Sequence, residues 1–212
     1  MHLFPNSKRT KEKLVERFAG KRILEVGYHP HKTPGATAIY KHTPDAPPLD
    51  PEKDIDHDLT TFPWPIEDNA FDLIICQHVM EHLPDVVATM EEFNRIVTSE
   101  GQVFIEASHY TCFEVYRHHE RCHHFSVESF DYFLKSNPQS HTDFHRLKRH
   151  IFFDSLSYLI GIGFFANICP HFYEKRLAFI FPASSFYVIF SVEKEAFVPE
   201  TAKKTVTAST MA

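Results

Sequence analysis

The densest chemistry in the sequence follows an apolar run, FDLIIC at 71–76, which stops abruptly at Gln77 and His78. Polar side chains at the end of a buried strand can orient a ligand, and this pair does so without competing as nucleophiles. The stretch His78-Val79-Met80-Glu81-His82 also spells H-x-x-E-H. On one helix face that spacing lets two imidazoles hold zinc and leaves the carboxylate as base. Here His78 closes a strand, so the sequence argues against metal-bound hydrolysis. His118, His119, Cys122, His123 and His124 crowd a second stretch. A structural zinc wants four convergent ligands, and no spacing selects partners among His109, His141, His145 and His150, so a solvated loop and no metal are expected. His109 and Tyr110 leave the end of a further strand, where either can orient or deprotonate an acceptor; a strand-end pair satisfied by water is the plainer alternative.

The surrounding elements set where those groups stand. Residues 10–19 carry Leu14, Val15 and Phe18 at helical spacing, with Gly20 as a stop. Residues 22–26 (RILEV) predict a short strand ending at Gly27, and 36–40 a second. Between them Pro30, Pro34 and Gly35 exclude an ordinary crossover helix. Residues 43–53 hold four prolines and read as an irregular loop, after which 54–58 returns to the sheet. Asp85 suits the N-cap of a helix whose Val86, Val87, Met90, Phe93, Ile96 and Val97 form an apolar stripe. Gly101 precedes a strand over 102–107, a helix is expected over 126–135 behind Ser126, and 144–153 with 186–192 read as an antiparallel pair. The pattern predicts one α/β domain over 1–198, with a mostly parallel sheet, helices on both faces and an antiparallel C-terminal strand pair. Residues 199–212 read as a disordered tail.

Composition narrows the class. A chain of 212 residues can bury a sizeable single core, and 43% apolar with 24% charged residues is ordinary for a soluble protein. The net charge of −6 argues against a general nucleic-acid binder. Cys76, Cys112, Cys122 and Cys169 show no paired spacing, which together with the lack of a secretion leader points to reduced thiols and a cytoplasmic protein. The longest uncharged stretch, 155–173, is broken by Gly161, Gly163 and Pro170, so no membrane span is expected where one needs roughly 20 mostly apolar residues. Residues 156–165 with Phe179, Phe181, Phe186 and Tyr187 suit an apolar pocket wall, core packing or a homodimer contact.

Strand, Gly27 loop, strand, Asp58, buried strand, Gln77-His78, helix, Gly101, strand: this order resembles the class I S-adenosylmethionine-dependent methyltransferases over residues 20–110. The words that carry it are HDLTTFPWPIEDNAFDLIICQHVMEHLPDVVATMEEFNRIVTSEGQVFIEAS, and SFDYF at 129–133 with the late YEKRLAFIFPA resembles a subgroup of such enzymes. The resemblance implies a Rossmann-like fold, S-adenosylmethionine as cofactor and methyl transfer to a small-molecule acceptor. Carried over by position, it implies that Glu25 and Gly27 belong to the first-strand motif and that Asp58 with Leu59 faces the adenine. Gln77 and His78 would then lie under the methionine part. Two positions depart from the pattern: His29 replaces a second glycine, and Tyr40, followed by Lys41 and His42, replaces the acid that grips the ribose. Losing that acceptor costs about 1.5–3 kcal/mol of binding, unless Asp45 or Asp50 substitutes. The rival reading is a non-catalytic binding or scaffold protein that keeps the sheet and has lost the cofactor.

Overall fold

The strands are β1 (Ile23–Val26), β2 (Thr37–Tyr40), β3 (Ile55–Asp56), β4 (Phe71–Gln77), β5 (Val97–Ser108), β6 (Phe144–Phe152) and β7 (Ser185–Val192), ordered β3-β2-β1-β4-β5-β7-β6 in one sheet. Neighbours from β3 to β5 run parallel, whereas β7 is antiparallel to both β5 and β6. The expected Rossmann-like sheet with its antiparallel end is therefore present. These coordinates, a computed structural model, describe residues 7–28, 32–44, 46 and 48–194; the readings made at His29, Asp45 and the tail 199–212 fall outside the described residues.

The period of two along the strands divides the core. Leu24, Val26, Ile74, Cys76, Val103 and Ile105 face one side, where they meet Met90, Phe93 and Ile96 of α2 (Val86–Ile96). Ile23, Leu73, Ile75 and Phe104 face the other, against Leu14 and Phe18 at the end of α1 (Ser7–Arg17). Helices thus lie on both faces, but α1 precedes the sheet, and among the described residues no helix connects β1 to β2, β2 to β3 or β3 to β4. Burying a Leu or Phe side chain in this way contributes roughly 1.5–3 kcal/mol each, so the sheet centre dominates stability.

Asp85 caps α2 as its type suggests, its carboxylate accepting the Ala88 N–H at 2.8 Å. Farther along α2, Glu92 accepts the Trp64 N–H at 3.0 Å and both ends of the Arg95 guanidinium. Arg95 in turn donates to the carbonyls of Trp64 and Ile66 and to Asp68. This fork seats the turn-rich FPWPIEDN segment, with Trp64 only 2% exposed, on the helix.

The structure changes some local expectations and fills in others. The helix expected over 126–135 is a single 3₁₀ turn, Ser129–Phe133. Its buried aromatics Phe130 and Phe133 are three apart, the 3₁₀ repeat, and Leu134 already bridges to Phe144. The third strand is two residues long, because Asp54 is drawn into bonds with the Ala38 and Asp50 amides. The uncharged stretch folds into short helices: after α3 (Phe113–Arg117) come α4 (Ser155–Leu159), α5 (Ile162–Ile168) and α6 (Pro170–Arg176). They join the core on the α2 side through Tyr158, Ala166 and Tyr173. No helix among the described residues is long and apolar enough to cross a membrane.

Glu92→Ala strands the buried Trp64 amide and the Arg95 fork together. It should cost about 2–3 kcal/mol, read as a Tm drop of roughly 4–10 °C by differential scanning calorimetry. A Tm unchanged within error would show that the loop is held by something else.

Candidate functional site

Beyond β1 the chain turns to β2 on one side, while β4 continues to β5 on the other, so a crevice opens at the carboxyl ends of β1 and β4. Three side chains there form a continuous polar row. Glu25, 3% exposed on β1, accepts from the Lys11 ammonium at 2.8 Å and from the Thr33 N–H at 2.6 Å. The same ammonium reaches Gln77 Oε1 at 2.5 Å, and Gln77 Nε2 donates to Glu106 Oε2 at 2.7 Å. Glu106 sits directly opposite Gln77 in the β4–β5 register. Lys11 comes from α1, which thereby lies across the strand ends.

The row continues past the end of β4. His78 takes a left-handed backbone (φ 53°), and its N–H donates to the Glu106 carbonyl at 2.8 Å. A 3₁₀ turn, Met80–His82, then drives Glu81 inward until it is fully buried. Glu81 Oε1 accepts the Ser108 N–H at 2.8 Å and lies 3.5 Å from His78 Nδ1 and 3.6 Å from Arg121 Nη1. Arg121 also donates to Ser108 Oγ at 2.7 Å. The histidine-rich loop supplies this arginine and is strapped down by the Cys122 and His123 amides on the Glu81 carbonyl. Three carboxylates thus meet one lysine, one arginine and one imidazole.

Electrostatics follow from that crowding. Burial works against a charge on His78, but Glu81 and Glu106 outweigh it and hold its pKa above the ordinary 6.5. Burial likewise opposes the Glu81 charge, yet the His78 hydrogen bond and the Ser108 amide keep its carboxyl below the usual range. A cavity of about 700 Å³ lies between α1 and this row, walled by Lys11, Val15, Thr33, Gln77, His78 and Glu106. That volume is in the range of small-molecule sites. Two buried polar atoms, Thr33 Oγ1 in the cavity wall and Glu81 Oε2 behind the row, have no hydrogen-bond partner.

Glu25, Gln77 and His78 therefore come together, and the other sequence candidates stand apart. Gly27 (φ 82°) is needed by a neighbouring side chain: a Cβ there would lie 2.3 Å from Val79 Cγ2. Asp58 is half-buried, pairs with Lys41 at 2.9 Å and takes the Thr60 amide and hydroxyl; those bonds hold its carboxyl well below the usual range. Leu59 packs on the core, with its carbonyl accepting from the Trp64 indole. Tyr40 is 7% exposed, its ring 6.1 Å from that of the half-exposed Tyr28, and neither lines the cavity. Asp50 is turned into its own loop, accepting the Glu52 amide.

His109 is sealed inside, with Nδ1 2.7 Å from Thr111 Oγ1 and Nε2 3.2 Å from Glu174 Oε1. Tyr110 donates to the Glu174 carbonyl, and burial pushes its phenol up. His82 and His78 do not share an α-helix face, which removes the zinc geometry of H-x-x-E-H. Among the described residues no three His, Cys, Asp or Glu side chains converge on a metal position.

The sequence reading missed Lys11, Arg121 and the roles of Glu81 and Glu106. Glu106 had a signal: it is the one charge inside the apolar strand VFIEAS, and a buried charge is kept only with partners. Lys11 had none, since a helix lysine in a basic segment reads as solvated.

With this geometry in place, comparison with known proteins is informative. Residues 37–105, from β2 into β5, match the family model described as a methyltransferase domain. No curated protein matches. A structure of a SAM-dependent methyltransferase from Archaeoglobus fulgidus is similar at TM-score 0.58 and 14% identity, covering 88% of this chain and 95% of that one. A putative methyltransferase from Bacillus halodurans superposes at TM-score 0.55 with 12% identity, covering 86% and 98%. The [4+2]-cyclase SpnF is similar at TM-score 0.50 and 13% identity, covering 88% and 81%. At these identities the likeness shows the fold, and the cyclase shows that the fold alone does not set the reaction.

Lys11→Met leaves the Glu25 carboxylate buried without its cation, and should cost about 3 kcal/mol by urea denaturation. Adding Glu25→Gln should return part of that loss; strict additivity would deny the pairing. The charged His78 stabilises fully below its unfolded pKa, and this contribution fades as pH rises through the higher folded value. The Tm advantage of wild type over His78→Gln should therefore be largest near about pH 6 and shrink toward about pH 9. An advantage that grew with pH would contradict the assignment.

Proposed function

We propose that this chain is a class I S-adenosylmethionine-dependent methyltransferase domain that binds S-adenosylmethionine along the carboxyl edge of β1, β4 and β5. Its methyl group then passes to a small-molecule acceptor. The observation that supports this most is the cation cradle at the switch point: Glu25 and Gln77 already hold one ammonium, that of Lys11, at the wall of the cavity.

The donor set suits a cationic ligand. Bound there, the cofactor supplies an electrophilic methyl on a sulfonium. Glu25 and Gln77 would hold the α-ammonium of the amino-acid portion once Lys11 swings aside, and the unpartnered Thr33 hydroxyl would add a hydrogen bond. With Lys11 displaced, Glu25 and Glu106 leave the local potential negative, which favours a sulfonium over a neutral mimic. Asp58 and Leu59 are the adenine contacts in this reading, with the Asp58 carboxylate released from Lys41. His78 orients the acceptor beside the strand ends. Methyl transfer gains chiefly from aligning nucleophile, methyl and sulfur, so these residues act by holding and excluding water.

A scaffold function is favoured by His29 and Tyr40, which depart from the pattern of the resemblance, and by Lys11 already neutralising Glu25. Calorimetric titration with S-adenosylmethionine and with its demethylated product separates the two readings. The enzyme reading expects micromolar affinity, about tenfold weaker in Gln77→Ala, the scale of one hydrogen bond. It also expects Asp58→Ala to weaken binding more than His82→Ala; the reverse order would move the adenine site. No heat with millimolar ligand would favour the scaffold.

A further inference from the structure

The α4–α6 layer is amphipathic in the wrong sense for a surface of solvated helices. Its inward residues are mostly small, with Ser157, Gly163, Ala166 and Ala178 buried beside Tyr158 and Tyr173. Its large apolar residues face out, with Leu159 and Ile168 each 78% exposed and Phe179 81%, joined by Leu156, Phe164 and Phe172. The inward placement is enforced, since a Cβ on Gly163 would lie 2.4 Å from the Tyr158 ring. Isolated exposed apolar residues are ordinary, but a contiguous field of this kind marks an interaction surface.

Charge decides what covers it. Between residues 155 and 181 the charged side chains are Glu174, Lys175 and Arg176. Glu174 points inward, to His109 and the Val127 amide, so the exposed charges of the face are both positive. The carboxylates at its border are engaged: Asp154 caps α4 at the Ser157 amide, and Glu128 binds His171 at 3.0 Å. In a two-fold dimer built on this face, Lys175 and Arg176 would find only the helix-capping Asp154 as an exposed carboxylate at the border. Protruding Leu, Ile and Phe side chains edged by Lys and Arg instead match the acyl–headgroup boundary of an anionic bilayer.

We propose that the outer face of α4–α6, with the Phe179–Ile180 turn, docks this protein on the surface of an anionic lipid membrane without spanning it. Phe179 packs on Tyr110 at 5.6 Å between ring centroids, and Tyr110 follows β5 two residues beyond Ser108 of the polar row. The docked surface therefore connects, through Tyr110, to the chain that leaves the end of β5.

Vesicle co-sedimentation tests this with the full chain, using phosphatidylcholine alone and phosphatidylcholine mixed with phosphatidylglycerol. Binding is expected to be tighter to the anionic vesicles and to fall with salt. Neutralising Lys175→Gln and Arg176→Gln should each weaken anionic binding about fivefold. Ile168→Glu and Phe179→Glu should abolish it while leaving far-UV circular dichroism and Tm unchanged, because both positions are exposed. No sedimentation with either vesicle would overturn the docking, as would a stable dimer dispersed by Ile168→Glu. Equal, salt-independent binding to both vesicles would overturn the anionic surface as the partner. Vesicle binding and cofactor heat are measured separately, so loss of one leaves the other standing.

Discussion

A buried carboxylate must find a cation, and at the carboxyl edge of this sheet three of them must do so within one crevice. Lys11 answers for Glu25, and Gln77 relays the same ammonium to Glu106. Arg121 and His78 answer for Glu81. Isolated, each carboxylate would carry a desolvation penalty of several kcal/mol. Linked, they pin α1, the end of β4 and the histidine-rich loop into one arrangement. The cavity exists because these side chains stand in a row across the strand ends instead of collapsing onto apolar packing.

That requirement explains features that look unrelated in the chain. The left-handed His78 backbone and the 3₁₀ turn after it bring Glu81 under the Ser108 amide, which a regular helix beginning at His78 would not do. The loop rich in histidines serves through its arginine and its backbone, while its imidazoles make peripheral contacts such as His123 to the Pro84 carbonyl. Val79 occupies the hollow over Gly27, so the glycine answers to core packing as much as to any ligand. The cation cradle and the outer apolar face are built on opposite logic: one gathers charge out of water, and the other leaves hydrocarbon in it.

Much of the frame was legible. The apolar run at 71–76, the cap at Asp85 and the stripe through Met90, Phe93 and Ile96 specify their elements by local pattern alone. The 3₁₀ turn at Ser129–Phe133 was misread because its buried pair, Phe130 and Phe133, is three residues apart, a spacing that both a 3.6 and a 3.0 repeat place on one face. The helices α4–α6 escaped because their apolar residues point outward, which inverts the signal that periodicity offers.

The sequence by itself determined the α/β architecture, the position of Gln77 and His78 at a strand end, and the resemblance to a methyltransferase domain. Each is encoded in residues close together in the chain. Tertiary structure alone decided that Lys11 reaches Glu25 and Gln77, that His109 is locked against Glu174, and that the greasy stretch shows its large side chains to the outside. Those outcomes join residues 14, 65 and 66 positions apart, or depend on which side of a short helix meets the core. Local propensity carries no record of such distances; only the closing of the sheet does.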